Sequence, residues 1–460
     1  MSARNIVLVI GVLAVAHLVW AGGPLLVGGP KFGSEGQPFV WDNSVPIRYT
    51  TDGGTLGSWD NGTANAHVAA AFAVWGSVPT AKLAFQRIGP INGVPDVTTV
   101  EQFDQVLGSC QSGTQTPIIY DTDGSLFTQL TDPNVIGFSS PCLLTSAGKI
   151  QTAFTALNGT ATNLMDSTMV HEFGHLLGLD HTQLNCRATG CAAEDIANTP
   201  IMFPIILSNT ASLATDDKAW ISKLYPNPLF STQYGTITGR VLFSDGISPV
   251  QDGVVIARQV PHSPAAVADQ SAIVAVSGLS GYRFTGNPGQ PYSADYLPCN
   301  APSSACKNGY LGNNTDGDQF GSRDASLIGM YELPVPPGTY TLEVRTIGNG
   351  YTYNDIGPVD IIIDLPGPEE FWNANESATD NQFLLNAYDL SSLALDTVTV
   401  TAGGTTSGID FILNGTAPTA DDFDLGALLS AMNWPTPGNI SAWLRPLNLP
   451  TASLLAGGKR

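Results

Sequence analysis

The hydrophobic pattern of this chain changes character near residue 230. Before that point, short strand-like runs alternate with stretches of helical spacing. Residues 46–51 (PIRYTT) predict a first strand, and Val68, Phe72 and Trp75 recur at helical intervals, which predicts an amphipathic helix over 65–75. Segments 83–85, 117–120, 135–138 and 150–157 read as further strands. The last leads through Asn158-Gly159 into a helix over 163–177. A final helix is capped by Thr215, has Asp216 and Asp217 in its positive first turn, and carries Asp217, Trp220, Ile221 and Leu224 on one face. Beyond Tyr234 helical periodicity stops. Residues 235–243, 252–257, 340–345 and 397–400 alternate or cluster β-branched side chains between turn signals, the pattern of an antiparallel β-sandwich. Long polar insertions at 289–324 and 348–386 separate these strands.

The resulting expectation is an α+β unit over 41–228 followed by an all-β sandwich over 229–416. A Gly- and Pro-rich linker over 22–40 precedes them, and a tail over 417–460 shows no fixed apolar spacing. A length of 460 residues agrees with two domains plus appendages. The 49 Gly, 32 Pro and 12% charged residues favour strands and loops over helices. A formal charge of -21 argues against nucleic acid and anionic membrane surfaces as partners. Arg4, the apolar run from Ile6 to Trp20 and the Ala21-Gly22-Gly23 junction read as a signal peptide over 1–21, with a retained anchor as the alternative. The signal segment makes the expected location extracellular, and no later segment has the length and apolarity of a membrane span. Six cysteines fall in sequence as Cys110/Cys142, Cys186/Cys191 and Cys299/Cys306. Sequential pairing is the simplest of fifteen connectivities for an oxidised chain.

One stretch carries chemistry. Residues His171-Glu172-Phe173-Gly174-His175-Leu176-Leu177-Gly178-Leu179-Asp180-His181 fit H-E-x-x-H-x-x-G-x-x-H. On a helix, His171 and His175 lie one turn apart on one face, so two imidazoles can converge on an ion. Gly178 permits a turn that a side chain would penalise, which brings His181 round as a third ligand. Three protein ligands leave a fourth position of Zn²⁺ open to water, whose proton Glu172 is placed to take. Of the other histidines, His17 falls in the signal segment, and His67 and His262 read as ordinary side chains. Two acidic loops, 121–124 and 314–318, offer hard oxygens for Ca²⁺ and read equally as solvated turns.

With Met202 following, the motif resembles the zinc site and Met-turn of the metzincin endopeptidases, and among them the chain is most similar to the matrixins. Ile201-Met202-Phe203-Pro204 is similar to their Met-turn, and Leu213 to Asp217 with Ile221, Leu224 and Tyr225 to their closing helix. The resemblance covers about residues 40–228. It implies a twisted mixed sheet, one catalytic zinc, Met202 as an apolar floor beneath the histidines, and a strand over 135–138 as the edge along which peptide substrates pair. The chain departs from relatives of that clan. Pro204 stands where astacins and serralysins have a zinc-proximal Tyr, no histidine lies between His67 and His171 for a second zinc, and no cysteine-switch segment precedes the first strand. Residues 235–257 and 337–342 loosely resemble carboxypeptidase-regulatory-like sandwiches, whose ligand here is undefined.

These features predict a secreted zinc metalloendopeptidase that hydrolyses extracellular proteins or peptides, with Glu172 as general base and His171, His175 and His181 as metal ligands. The rival from another class is an extracellular binding or adhesion protein that keeps the fold without turnover. A third reading is a zinc hydrolase with a non-protein substrate.

Overall fold

A computed structural model describes residues 23–29, 32–131, 134–182, 184, 199–206, 208–250, 253–260, 274–284, 321–322, 324–345, 365–380 and 395–415. The predicted signal segment, the tail, the loop at 314–318, His262 and the cysteines at 186, 191, 299 and 306 lie outside these residues.

Among the described residues the fold mixes few helices with several sheets, which is compatible with the expected α+β class. The N-terminal sheet contains β1 (Val40–Trp41), β2 (Ile47–Thr51), β3 (Phe85–Pro90), β4 (Pro117–Asp121), β5 (Gly137–Leu144) and β6 (Lys149–Asn158). Its order is β1-β6-β4-β2-β3, all parallel, with β5 antiparallel to β6. β5 runs through Pro141, beyond the expected end at 138. A proline is tolerated there because β5 pairs only with β6 among the described strands, and the register slips between Pro141 and Leu143.

Helix α1 (Asn61–Gly76) starts four residues earlier than the apolar spacing predicts, because the Asp60 side chain accepts the Thr63 N–H and caps it. Helix α2 (Val100–Gln111) has no counterpart among the expected elements. Its signals are a Thr99/Gln102 capping box and buried Phe103, Val106, Leu107 and Cys110 at helical spacing. Helix α3 (Ser125–Leu130) follows the acidic loop at 121–124. That loop uses its carboxylates on its own backbone: Asp121 accepts from Gly124 and Phe127 N–H, and Asp123 from Ser125 N–H.

A 3-10 turn, Gly159–Leu164, leads into α4 (Met165–Leu176), and α5 (Thr215–Leu224) closes this region. The N-cap of α5 is Ala214, not Thr215. The Asp217 carboxylate reaches back to accept the Ala214 N–H, as the third helical residue does in a capping box.

The C-terminal region holds a four-stranded and a five-stranded sheet. The first places β10 (Met330–Val335), β14 (Thr405–Thr406) and β15 (Phe411–Ile412) on β7 (Gly235–Leu242). In the second, β11 (Gly338–Arg345) pairs with β8 (Val254–Gln259), β12 (Glu370–Phe371) and β13 (Val398–Val400), and β9 (Ala275–Leu279) lies beyond β8. β9 and β10 are absent from the sequence expectation. The pairing is antiparallel except that β14 and β15 run parallel to β7.

The stretch expected to be a linker is packed instead. Leu25, Leu26, Val27, Phe32 and Phe39 are buried, Leu25 N–H donates to Gly178 O at 2.7 Å, and Asp180 N–H to Gly23 O at 3.1 Å. On its other side Gly321 N–H donates to Val27 O, and the Arg283 guanidinium to Gly36 O. Gly and Pro composition suggests a linker, but three consecutive apolar residues supply enough buried area to anchor the segment across both regions. The largest buried cluster accordingly runs from Leu25 through Trp220 and Ile221 to Leu413.

Candidate metal centre

Helix α4 carries the motif, and its surroundings explain its rigidity. Phe173 stacks on Phe72 of α1, with ring centroids 3.9 Å apart, and Trp75 Nε1–H donates to Val170 O at 2.8 Å. Gly174 is required inside this helix. A Cβ there would lie 2.1 Å from Met202 Sδ and 3.0 Å from Trp75 Cζ2. Met202 therefore presses against the helix backbone between the two histidines.

The helix ends in a Schellman motif. Gly178 has φ +84°, its N–H donates to His175 O, and Leu179 N–H donates to Gly174 O, both at 2.9 Å. Two more carbonyls of this last turn find side-chain donors. Trp41 Nε1–H reaches Leu176 O at 2.8 Å, and the Tyr225 hydroxyl reaches Leu177 O at 2.6 Å. The chain then returns under the helix to present His181.

The structure brings the three predicted histidines together. Their Nε2 atoms form a triangle with sides of 3.1 Å, and each residue is 5–6% exposed. His171 Nδ1 lies 2.7 Å from Ile201 O, and His175 Nδ1 lies 2.9 Å from Leu179 O. A carbonyl oxygen only accepts, so both Nδ1 atoms carry the proton and both Nε2 atoms present lone pairs. Burial lowers the pKa of His171 to about 4, which keeps it neutral. Converging lone pairs repel one another unless a cation sits among them. The group can hold a metal ion.

Glu172 is also buried, at 5% exposure, and among the described residues its Oε2 has no hydrogen-bond partner. Burial pushes its carboxyl up to about 8. Gly137 at the start of β5 covers it, and a Cβ on Gly137 would lie 2.8 Å from Glu172 Cγ and 2.9 Å from Oε1. The edge strand and the acid are thus in contact.

The residues that support the histidines were less legible. Asp217 accepts N–H bonds from Ile201 (3.0 Å) and Met202 (3.1 Å), in addition to Ala214 (2.7 Å). It fixes the segment whose Ile201 carbonyl orients His171. Thr182 N–H donates to Met202 O at 2.9 Å, tying the residue after His181 to the same segment. On the far side, Ser277 of β9 donates its N–H to Asp216 at 2.7 Å, and Trp220 Nε1–H donates to Ser277 O at 2.8 Å. Position in a first helical turn predicts a dipole role for Asp216 and Asp217, but not these distant partners. His67 stands apart from the centre, paired with Asp166 at 2.6 Å and stacked on Trp59.

No protein-family model and no curated protein matches the chain. Among the described residues, no helix is long and apolar enough to cross a membrane. Cys110 and Cys142 form a disulfide, the first of the sequential pairs.

Proposed function

We propose that this chain is a zinc-dependent metalloendopeptidase of metzincin, matrixin-like type, exported and acting on extracellular proteins or peptides. The observation that carries the reading is the triangle of Nε2 atoms beside a buried carboxylate with a free oxygen. Nitrogen ligands about 2.0–2.1 Å from a tetrahedral zinc lie roughly 3.3–3.4 Å apart, so the observed 3.1 Å suits that ion within a few tenths of an ångström. His171, His175 and His181 would hold it, and when bound it supplies Lewis acidity toward a peptide carbonyl and acidifies water.

The protein's own groups do the rest. The Ile201 and Leu179 carbonyls fix the tautomers of His171 and His175. Glu172, one residue from the first ligand, takes a proton from the attacking water and delivers it to the leaving amine. Its burial favours the protonated form once that proton arrives. The outer edge of β5, adjoining Glu172, offers backbone groups to an extended peptide, which favours peptide substrates over other hydrolysable compounds. Met202 serves as the apolar floor of the centre. The two C-terminal sheets belong, on this reading, to a carboxypeptidase-regulatory-like sandwich. The Cys110–Cys142 bond agrees with an oxidising, extracellular location.

Metal analysis together with cleavage of casein or gelatin tests the assignment. Purified protein should carry one zinc per chain and lose cleavage on chelation. Glu172→Gln should abolish turnover while keeping the metal. Residual cleavage by that variant would refute Glu172 as the base. Intact metal loading with no cleavage of any protein substrate by the wild type would favour the binding-protein alternative.

A further inference from the structure

A second group of oxygens, centred on the buried Glu370 with half-buried Glu376, Asp380 and Asn414 around it, lies far along the chain from the histidines, between the two C-terminal sheets. Glu370 on β12 stands directly opposite Val344 of β11. Residues opposed in this way point to the same face of a sheet, and Val344 belongs to the core. The Glu370 carboxylate is therefore directed inward, at 1% exposure. Its Oε2 accepts from Asn414 Nδ2 at 3.3 Å, but among the described residues its Oε1 has no hydrogen-bond partner, and neither has Asn414 Oδ1.

Glu376 stands beside them. Its Oε1 accepts Asn373 N–H at 2.8 Å and its Oε2 accepts Ile412 N–H at 2.9 Å, which joins the loop after β12 to β15 of the other sheet. Asp380 adds a third negative group, held by Ser377 N–H and Asn373 Nδ2 at 2.8 Å each. Among the described residues no Lys, Arg or His forms an ion pair with Glu370 or Glu376. Burial, with repulsion from Glu376 and Asp380, pushes Glu370 up to about 9. Burial, opposed by the Asn373 and Ile412 N–H bonds and reinforced by Asp380 and Asp410, pushes Glu376 up to about 7. Glu370 Oε1 and Asn414 Oδ1, buried without donors among the described residues, are costly unless something positive joins them.

We propose that Glu370, Glu376 and Asn414 form a binding site for a hard divalent cation of the calcium class, which fastens the loop after β12 to the end of β15. Carboxylate and amide oxygens with no nitrogen or sulfur donor suit Ca²⁺ and disfavour zinc. The competing occupant is a proton on Glu370. The site is independent of the histidine centre and of the peptidase reading.

The test is calcium titration of the full-length, zinc-loaded chain in metal-stripped buffer, followed by thermal unfolding and by calorimetric binding. Calcium at millimolar concentration should raise Tm by several degrees, and magnesium by much less. Glu370→Gln should erase that shift while leaving Tm in the absence of calcium nearly unchanged, because the amide replaces a carboxyl that already holds its proton when no cation is bound. Asn414→Ala should weaken calcium binding by about tenfold, the loss of one ligand. An unchanged wild-type Tm with no heat of binding overturns the proposal in favour of the proton. A wild-type calcium shift that survives in Glu370→Gln also overturns it, by placing the ion elsewhere. Should Glu370→Gln not fold, Glu376→Gln takes its place, with loss of the shift expected and retention counting against the site.

Discussion

Replacing Gly174 by Ala sets two effects of opposite sign against each other. Helix propensity alone favours Ala over Gly in a helix interior by about 0.8–1.0 kcal/mol. Against this, the new Cβ would lie 2.1 Å from Met202 Sδ, where ordinary carbon–heavy-atom contacts are about 3.5–4.0 Å. The sulfur must retreat by roughly 1.5 Å, and Met202 and Trp75 are 2% and 0% exposed, so no free space receives it. Overpacking of this kind costs about 1–3 kcal/mol. The clash at least cancels the propensity gain, and Gly174→Ala should lose about 0–2 kcal/mol in urea unfolding.

The same displacement shifts the neighbouring Ile201 carbonyl that orients His171, so metal affinity should fall by roughly tenfold. Met202→Ala isolates the cause. In that background the cavity accepts the new methyl, and Gly174→Ala should become neutral or stabilising by up to about 1 kcal/mol. An equal effect of Gly174→Ala in both backgrounds, within about 0.5 kcal/mol, would refute the packing argument.

Gly137→Ala should push Glu172 from its position, because the added carbon meets Cγ at 2.8 Å. On the proposed peptidase reading, proteolytic turnover should fall while the zinc content measured by absorption spectroscopy stays that of the wild type. Breaking the Cys110–Cys142 bond by a double Ala substitution frees a loop of sequence separation 32, and should cost about 3.7 kcal/mol from loop entropy. Reversible denaturant unfolding of the oxidised and double-mutant proteins measures it. Asp52 is fully buried, and burial raises its pKa from 3.8 to about 6 in the folded protein. The folded state thus binds this proton more tightly than the unfolded one, so the stability contribution is complete below about pH 4 and falls as pH rises through 6. The loss is of order 2–3 kcal/mol. Asp52→Asn should flatten that part of the stability–pH curve, and an unchanged slope would contradict the assignment.

The histidine centre was legible because its residues are local. Spacing on one helix places His171 and His175, and a glycine able to take positive φ places His181 only a few residues on. Strand and helix positions around it followed from apolar periodicity with errors at the ends, where capping by Asp60 or a register slip at Pro141 decides the boundary. Helix α2 left a readable signal in its capping box and apolar spacing, and β9 and β10 emerge only through their partners. Composition misled at 22–40, where glycine and proline surround an apolar trio that packs against the motif turn and the C-terminal sheets.

By itself, then, the sequence determined which side chains could meet at a metal, since bonding one turn apart is a property of the helix alone. It also set the α+β character and the change to strands after residue 230. Only the tertiary structure decided that Asp217 holds the segment beneath His171, that Gly174 exists to admit Met202, and that Glu370 faces Asn414 across two sheets. Those pairings join residues far apart in sequence, and their partners are chosen by the closing of loops and the sharing of one buried core, which no local period encodes.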